Sequence, residues 1–344
     1  SNTMLDYVSN IMENVGRLNN YEKFNPMPEL RKNSTIKSIH SSLSIKANSL
    51  SINQVKDVIE GHIVIGEQKE IQEVKNAYNA YQQIDNINPY SLEHLKQVHG
   101  IMGFLTVKNA GNFRTNAEGV FDGDKCIFMA PSERLVPELM NNLFEWINDK
   151  QNDIHPLILS SIFHYEFLFI HPFTDGNGRM ARLWQNIILS KWKNVFKYVP
   201  IETQIKKYQR EYYSAISQSH VNGNSNVFIE FMLQMINETL IELLYSADVR
   251  SGNTNRYVEK LLNVMKKDEI LTAKEIMDRL SLKSKESRKL ILNFFVTMAI
   301  LNIVAVQIEN LGIFTNILAP REANRTCFFN SNHYGYDKRV KGVL

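Results

Sequence analysis

Cysteine is scarce, with only Cys126 and Cys327 in 344 residues. Two thiols so far apart make neither a disulfide framework nor a cysteine metal cluster, and they suit a reducing compartment. Charge of one sign is also lacking. The formal net charge of +3 is too small to argue by itself for nucleic acid or a membrane surface. No apolar run is long enough to span a bilayer. Ser1-Asn2-Thr3 before Met4 carries no signal-peptide pattern. The expectation from these absences is a cytoplasmic protein without a membrane partner. What is present is ordinary globular material, 44% hydrophobic and 22% charged, enough for one main domain and a smaller one.

The most informative stretch is His171-Pro172-Phe173-Thr174-Asp175-Gly176-Asn177-Gly178-Arg179, followed by Arg182. Ile154, Leu157, Ile158, Ile162, Tyr165, Leu168 and Phe169 lead into it at helical spacing. Pro172, Gly176 and Gly178 break the regular pattern. It resumes at once with Met180, Leu183, Trp184, Ile187 and Ile188. Helix, tight glycine loop, helix is therefore expected. The unpaired amides at the start of the second helix form an anion site that glycines let a phosphate approach closely. Arg179 and Arg182, three apart, share a face and reach the same anion. Asp175 can hold a divalent cation through oxygen. Taken singly, a histidine before proline is a packing residue and Asp-Gly-Asn-Gly a surface turn. Together they make a phosphate-chemistry site. His155, His164 and His171 fit no zinc spacing, and no cysteine lies near them.

His171 to Arg182, read H-P-F-T-D-G-N-G-R-x-x-R, resembles the signature of Fic-domain proteins. Gly111-Asn112-Phe113-Arg114 and Gly119-Val120-Phe121 resemble that family's G-x-[FY]-R segment and its flap hairpin. The resemblance extends from about Ser34 to about Ala305. It implies a mainly helical Fic-type bundle with a β-hairpin flap, and an enzyme that moves AMP from ATP to a protein hydroxyl. His171 would be the general base, with Asp175 ligating Mg²⁺. Phe173, Thr174, Gly176, Asn177, Gly178, Arg179 and Arg182 would form the nucleotide site. Backbone amides around Gly176, Asn177 and Gly178 would hold the α-phosphate, with Asn177 adding a side-chain donor, and the arginines would clamp the β- and γ-phosphates. Phe173 would face the core and fix the loop. Partners implied are ATP and an unidentified protein target, with self-modification and a homodimer left open. Tyr212 and Tyr213 resemble the adenine-side wall, although an aromatic stripe is equally a core feature. Gly119, Val120 and Phe121 would dock the target by main-chain pairing, or the hairpin would only cover the core.

One departure stands out. Many Fic proteins carry an inhibitory helix, [S/T]-x-x-x-E-[G/N], whose glutamate pairs with the second arginine and blocks the γ-phosphate. At the equivalent place Ser42 is followed by Lys46 and Ala47, where glutamate and glycine belong. A lysine cannot pair with Arg182, because neither accepts a hydrogen bond. The usual self-inhibition is therefore expected to be absent and Arg182 free. Glu60-Gly61 offers an E-G pair, but Lys56 stands where Ser or Thr should be.

In chain order, residues 1–90 read as a helical region containing the degenerate inhibitory helix at 35–50. The catalytic core follows at 91–245, then a linker at 246–255. Residues 256–316 resemble a winged helix-turn-helix, and a tail without periodicity occupies 317–344. Lys283, Lys285, Arg288 and Lys289 make the second helix of that domain basic, but Glu275, Asp278 and Glu286 dilute it. Packing or dimerisation is favoured there over DNA binding. The alternatives are a DNA-binding regulator whose Fic core senses a nucleotide, and a sibling chemistry such as AMP removal, phosphorylation or phosphocholine transfer.

Overall fold

The computed structural model describes residues 1–20, 28–122 and 125–250. The expected winged-helix domain and tail lie outside these residues. Eleven α-helices and one strand pair account for nearly all regular structure described. Ser1–Leu244 fall within one compact unit.

The centre is a helical hairpin of α7 (Pro156–Ile170) and α8 (Asn177–Trp192). His155 caps α7, its ring accepting from the Leu157 amide at 3.3 Å, and Pro156 takes the first helical position. Every residue of α8 from Asn177 to Ser190 is buried. A helix buried all round is normally apolar, yet α8 carries Asn177, Arg179, Arg182, Gln185, Asn186 and Ser190. Several of its polar groups are met from neighbouring helices. Gln185 pairs with His164 at 2.5 Å, and Asn186 donates to Glu202 at 2.8 Å. Its apolar face is anchored by Trp184, packed edge-on to Phe144 and donating its indole N–H to the Pro89 carbonyl at 3.0 Å.

The preceding helices are α1 (Asn2–Asn20), α2 (Pro28–Ile45), α3 (Ile52–Ile59), α4 (Gln68–Gln82), α5 (Leu92–Met102) and α6 (Val136–Lys150). The helix expected over 35–50 starts earlier, at Pro28, and stops at Ile45. Its serines do not break it, because Ser34, Ser38, Ser41 and Ser42 are buried, and Ser38 donates to Glu202 at 2.8 Å. Helix α3 begins with a reciprocal cap, in which Gln54 N–H donates to Ser51 Oγ and the Ser51 N–H to Gln54 Oε1.

Beyond α8 come α9 (Ile201–Lys207), α10 (Gln209–Asn222) and α11 (Asn226–Arg250). The last runs five residues into the stretch expected to be linker. Lys206 and Gln209 donate to the Ser44 and Ile45 carbonyls, closing the C-terminal end of α2 against α9 and α10. Glu202, fully buried, accepts from Ser38, Tyr81 and Asn186, tying α2, α4, α8 and α9 together. Strands β1 (Gly119–Asp122) and β2 (Lys125–Met129) pair antiparallel, with Gly119 opposite Met129 and an irregularity between Val120 and Phe121.

Candidate active site

The loop between α7 and α8 is the 171–176 stretch singled out by its sequence. His171 ends α7 in the left-handed region (φ 52°, ψ 58°), which costs a non-glycine residue about 1–2 kcal/mol. Arg114 offsets that strain. Buried at 2% exposure, it donates from Nε to the His171 carbonyl at 2.7 Å, while its amide donates to the Pro172 carbonyl at 2.9 Å. A hydrogen bond to a charged group contributes about 1.5–3 kcal/mol, enough to hold the turn.

The His171 ring is 3% exposed, and its Nδ1 has no hydrogen-bond partner among the described residues. Burial pulls its pKa down to about 4, the Leu168 main chain opposing and the positive charges of Arg114 and Lys46 adding to the fall. The ring is therefore neutral at physiological pH.

Asn177 closes the loop on itself. Its Oδ1 accepts from the Phe173 amide at 2.9 Å and its Nδ2 donates to the Phe173 carbonyl at 2.6 Å. The side chain expected as a phosphate donor is thus engaged as a brace. Phe173 is fully buried and faces the core. Thr174 is exposed. Gly176, at φ 89°, is the N-cap of α8, a conformation an L side chain rarely adopts.

The two arginines of α8 are both held. Arg182, expected to be free, donates from Nε to Ser42 Oγ at 3.0 Å and from Nη2 to the Ser42 carbonyl at 2.9 Å. The first residue of the degenerate motif satisfies it without any glutamate. Arg179 faces Glu73 of α4 at 3.3 Å and Asp175 at 3.5 Å. Its Nε and Nη1 are nevertheless buried without a hydrogen-bond partner among the described residues. Lys46 lies just past α2 and pairs with the Asp175 carboxylate, which also accepts from the Gly176 amide and lies beside Arg179. Ala47 sits at φ 69°, a backbone state that glycine adopts without strain and alanine does not.

Tyr212 is buried beside Arg182; burial raises its phenol pKa, and Arg182 keeps it from rising further. It is 1% exposed, its hydroxyl meets His164 Nε2 at 2.9 Å, and its ring packs on Phe228 and Phe231. The aromatic spacing at that position marks core. Tyr213 is half-buried and accepts a weak 3.5 Å bond from Gln209. Glu60 pairs instead with Lys32 at 2.7 Å. Of the other two histidines near the loop in sequence, His164 is bonded to Gln185 and Tyr212, and His155 caps α7.

Glu73, His99 and the anchoring role of Arg114 were not singled out from the sequence. Each lies far along the chain from the loop, and only the Gly111–Arg114 resemblance pointed to one of them.

Residues 89–189, which contain the loop, Arg114 and the strand pair, match the Fic/DOC family. A solved Fic family protein from Desulfovibrio desulfuricans G20 is 34% identical, over 85% of this chain and 87% of that one, with a TM-score of 0.69. The chain belongs to the Fic family. The protein adenylyltransferase Fic of Nematostella vectensis is 24% identical over 233 residues, which are 65% of this chain and 52% of that protein. The protein adenylyltransferase fic-1 of Caenorhabditis elegans is 28% identical over 205 residues, 56% of this chain and 38% of that one. The chain thus spans about half or less of these curated relatives. Among the described residues, no helix of this Fic protein is long and apolar enough to cross a membrane.

Proposed function

We propose that this Fic protein is a protein adenylyltransferase, moving AMP from ATP to a Ser, Thr or Tyr hydroxyl of a protein target. The observation that carries the reading is Arg179, buried in the first turn of α8 with its Nε lacking a hydrogen-bond partner among the described residues, one loop away from a neutral, buried His171. Buried donors without partners are costly, and an anion seated there would satisfy them.

In this reading a target hydroxyl sits within reach of His171. The imidazole takes its proton as the oxygen attacks the α-phosphorus; the new O–P bond forms as the α–β bridging bond breaks, and pyrophosphate leaves. First-turn amides of α8 hold the α-phosphate oxygens. Arg179 and Arg182 neutralise the β- and γ-phosphates after exchanging Glu73 and Ser42 for the ligand. Asp175 is the residue that would hold Mg²⁺. One carboxylate fits that ion, which takes its remaining ligands from phosphates and water. When bound, the ion supplies charge neutralisation on the leaving pyrophosphate. The outer edges of the β1–β2 pair, around Gly119, Val120 and Phe121, would take the target segment as an added strand. Tyr213 is the tyrosine left to face adenine.

His171→Ala tests the assignment of the base. AMP transfer should be lost while affinity for ATP stays within about threefold, because binding rests on the loop and arginines rather than on the base. A variant that still transfers AMP at the original rate would remove His171 from that role.

A further inference from the structure

His99 lies in the last turn of α5, is 1% exposed, and touches the loop twice. Its ring stacks on Phe173 at 3.6 Å with 2° between the planes. Its Nε2 lies 2.9 Å from the Asp175 carbonyl oxygen, and its Nδ1 lies 2.8 Å from the Gly111 amide nitrogen. These contacts determine the protonation state. The Gly111 amide can only donate, so Nδ1 must carry the lone pair. The Asp175 carbonyl can only accept, so Nε2 must carry the hydrogen. The other neutral tautomer would set two hydrogens against each other at Gly111 and two lone pairs against each other at Asp175. An imidazolium would lose the Gly111 bond.

We infer that His99, as the Nε2–H tautomer, is a positioning residue that sets the orientation of the Asp175–Gly176 peptide and so aims the start of α8 at the nucleotide phosphate. A peptide unit is planar, with C=O and N–H on opposite sides. Holding the Asp175 carbonyl toward α5 turns the Gly176 N–H the other way, to the side where it meets the Asp175 carboxylate. Rotating that peptide would move both the carboxylate and the first amide of the anion cradle. The stack on Phe173 fixes the loop two residues earlier, so His99 grips both sides of exposed Thr174. Gly111 is suited to its side of the grip. At φ 85° it presents its amide to His99, and a β-carbon there would stand 3.2 Å from the Lys96 carbonyl.

The inference rests on the nucleotide-transfer reading for what the loop binds, while the tautomer and the grip stand on geometry alone. Three substitutions separate the contacts. His99→Gln places an amide N–H near the Nε2 position, His99→Asn places its amide near Nδ1, and His99→Phe keeps the stack without either bond. Affinity for ADP is measured by calorimetry, the melting temperature by thermal unfolding, and the tautomer by long-range ¹H–¹⁵N correlation of the imidazole. The expected result is an Nε2–H signature for His99 at pH 7. ADP affinity should fall at least about tenfold in His99→Phe and His99→Asn, and recover to within about threefold in His99→Gln at matched melting temperatures. If His99→Phe does not fold, the contrast between Gln and Asn decides. A folded Phe variant, or an Asn variant, with unchanged affinity overturns the inference, as does an Nδ1–H or imidazolium signature. Normal ADP binding and the expected His99 pattern in a protein that transfers no AMP would instead overturn the proposed function and leave His99 as a positioning residue for nucleotide binding.

Discussion

Lys46 forms an ion pair with Asp175, so an ammonium lies on the carboxylate that would hold a divalent cation. The two side chains are 24% and 23% exposed, partly screened by solvent. Such a pair contributes about 0.5–1 kcal/mol, and a metal ion must displace it. Lys46→Met keeps the length of the side chain and removes its charge. It should tighten Mn²⁺ binding about two- to fivefold, read by electron paramagnetic resonance of free Mn²⁺. Unchanged or weaker binding would mean that Lys46 does not compete at Asp175.

Ser42, rather than a glutamate, occupies Arg182. A serine hydroxyl and a carbonyl are neutral acceptors, easier to exchange for a phosphate than a carboxylate would be. Restoring Lys46→Glu and Ala47→Gly together should add the charged competitor and relieve the left-handed strain at residue 47. Auto-modification at equal ATP should drop by about tenfold or more, on the order of one charge-assisted bond. Equal labelling by the double variant and the parent would show that the end of α2 does not govern the site.

Glu73 partners Arg179 from α4. Removing it leaves a buried guanidinium with less compensation, which should destabilise the ligand-free protein by about 3 kcal/mol. A bound phosphate would restore the missing negative charge. Glu73→Gln should therefore melt lower than the parent without ligand, yet gain more in melting temperature when saturated with ADP. A smaller ADP-induced shift in the variant would place Glu73 outside the phosphate clamp.

Three buried histidines make stability depend on pH. Burial holds His99 and His164 at about 3 and His171 at about 4, against about 6.5 in an unfolded chain. Between pH 6.5 and about 4 the unfolded chain binds more protons than the folded one, so stability falls as pH drops through that window and is flat with respect to these groups above it. Each histidine contributes up to about 1.4 kcal/mol per pH unit there. Thermal unfolding from pH 7.5 to 5 should show a falling melting temperature. A constant one would mean that these rings are protonated in the folded state.

The loop was legible because its parts are contiguous: His171, Asp175, Gly176 and Arg179 announce phosphate chemistry within one turn of chain. The helical hairpin around it was legible for the same reason, since 3.6-residue periodicity runs up to Pro172 and resumes after Gly178. Periodicity gave out where partners come from afar. Tyr212 and Tyr213 are neighbours in sequence, but only packing against His164 and Phe228 shows which of them is core. Glu73 and His99 reach the loop from other helices, and no local pattern marks a side chain whose partner, Arg179 for the one and the Asp175 carbonyl for the other, lies so far along the chain. The early start of α2 was hidden because Pro28 reads as a break in a regular pattern, whereas at the first helical position a proline lacks only an amide that would have no partner there anyway.

Transfer of AMP, as opposed to phosphate, is read from the position of the label on ATP. Incubate the protein, its His171→Ala variant and a cell lysate with ATP labelled on either the α- or the γ-phosphate, in Mg²⁺, and resolve the labelled proteins. Protein-bound label should come from α-labelled ATP only, with none in the His171→Ala reactions. Label arriving from the γ-phosphate, or α-label undiminished by loss of His171, would contradict this reading.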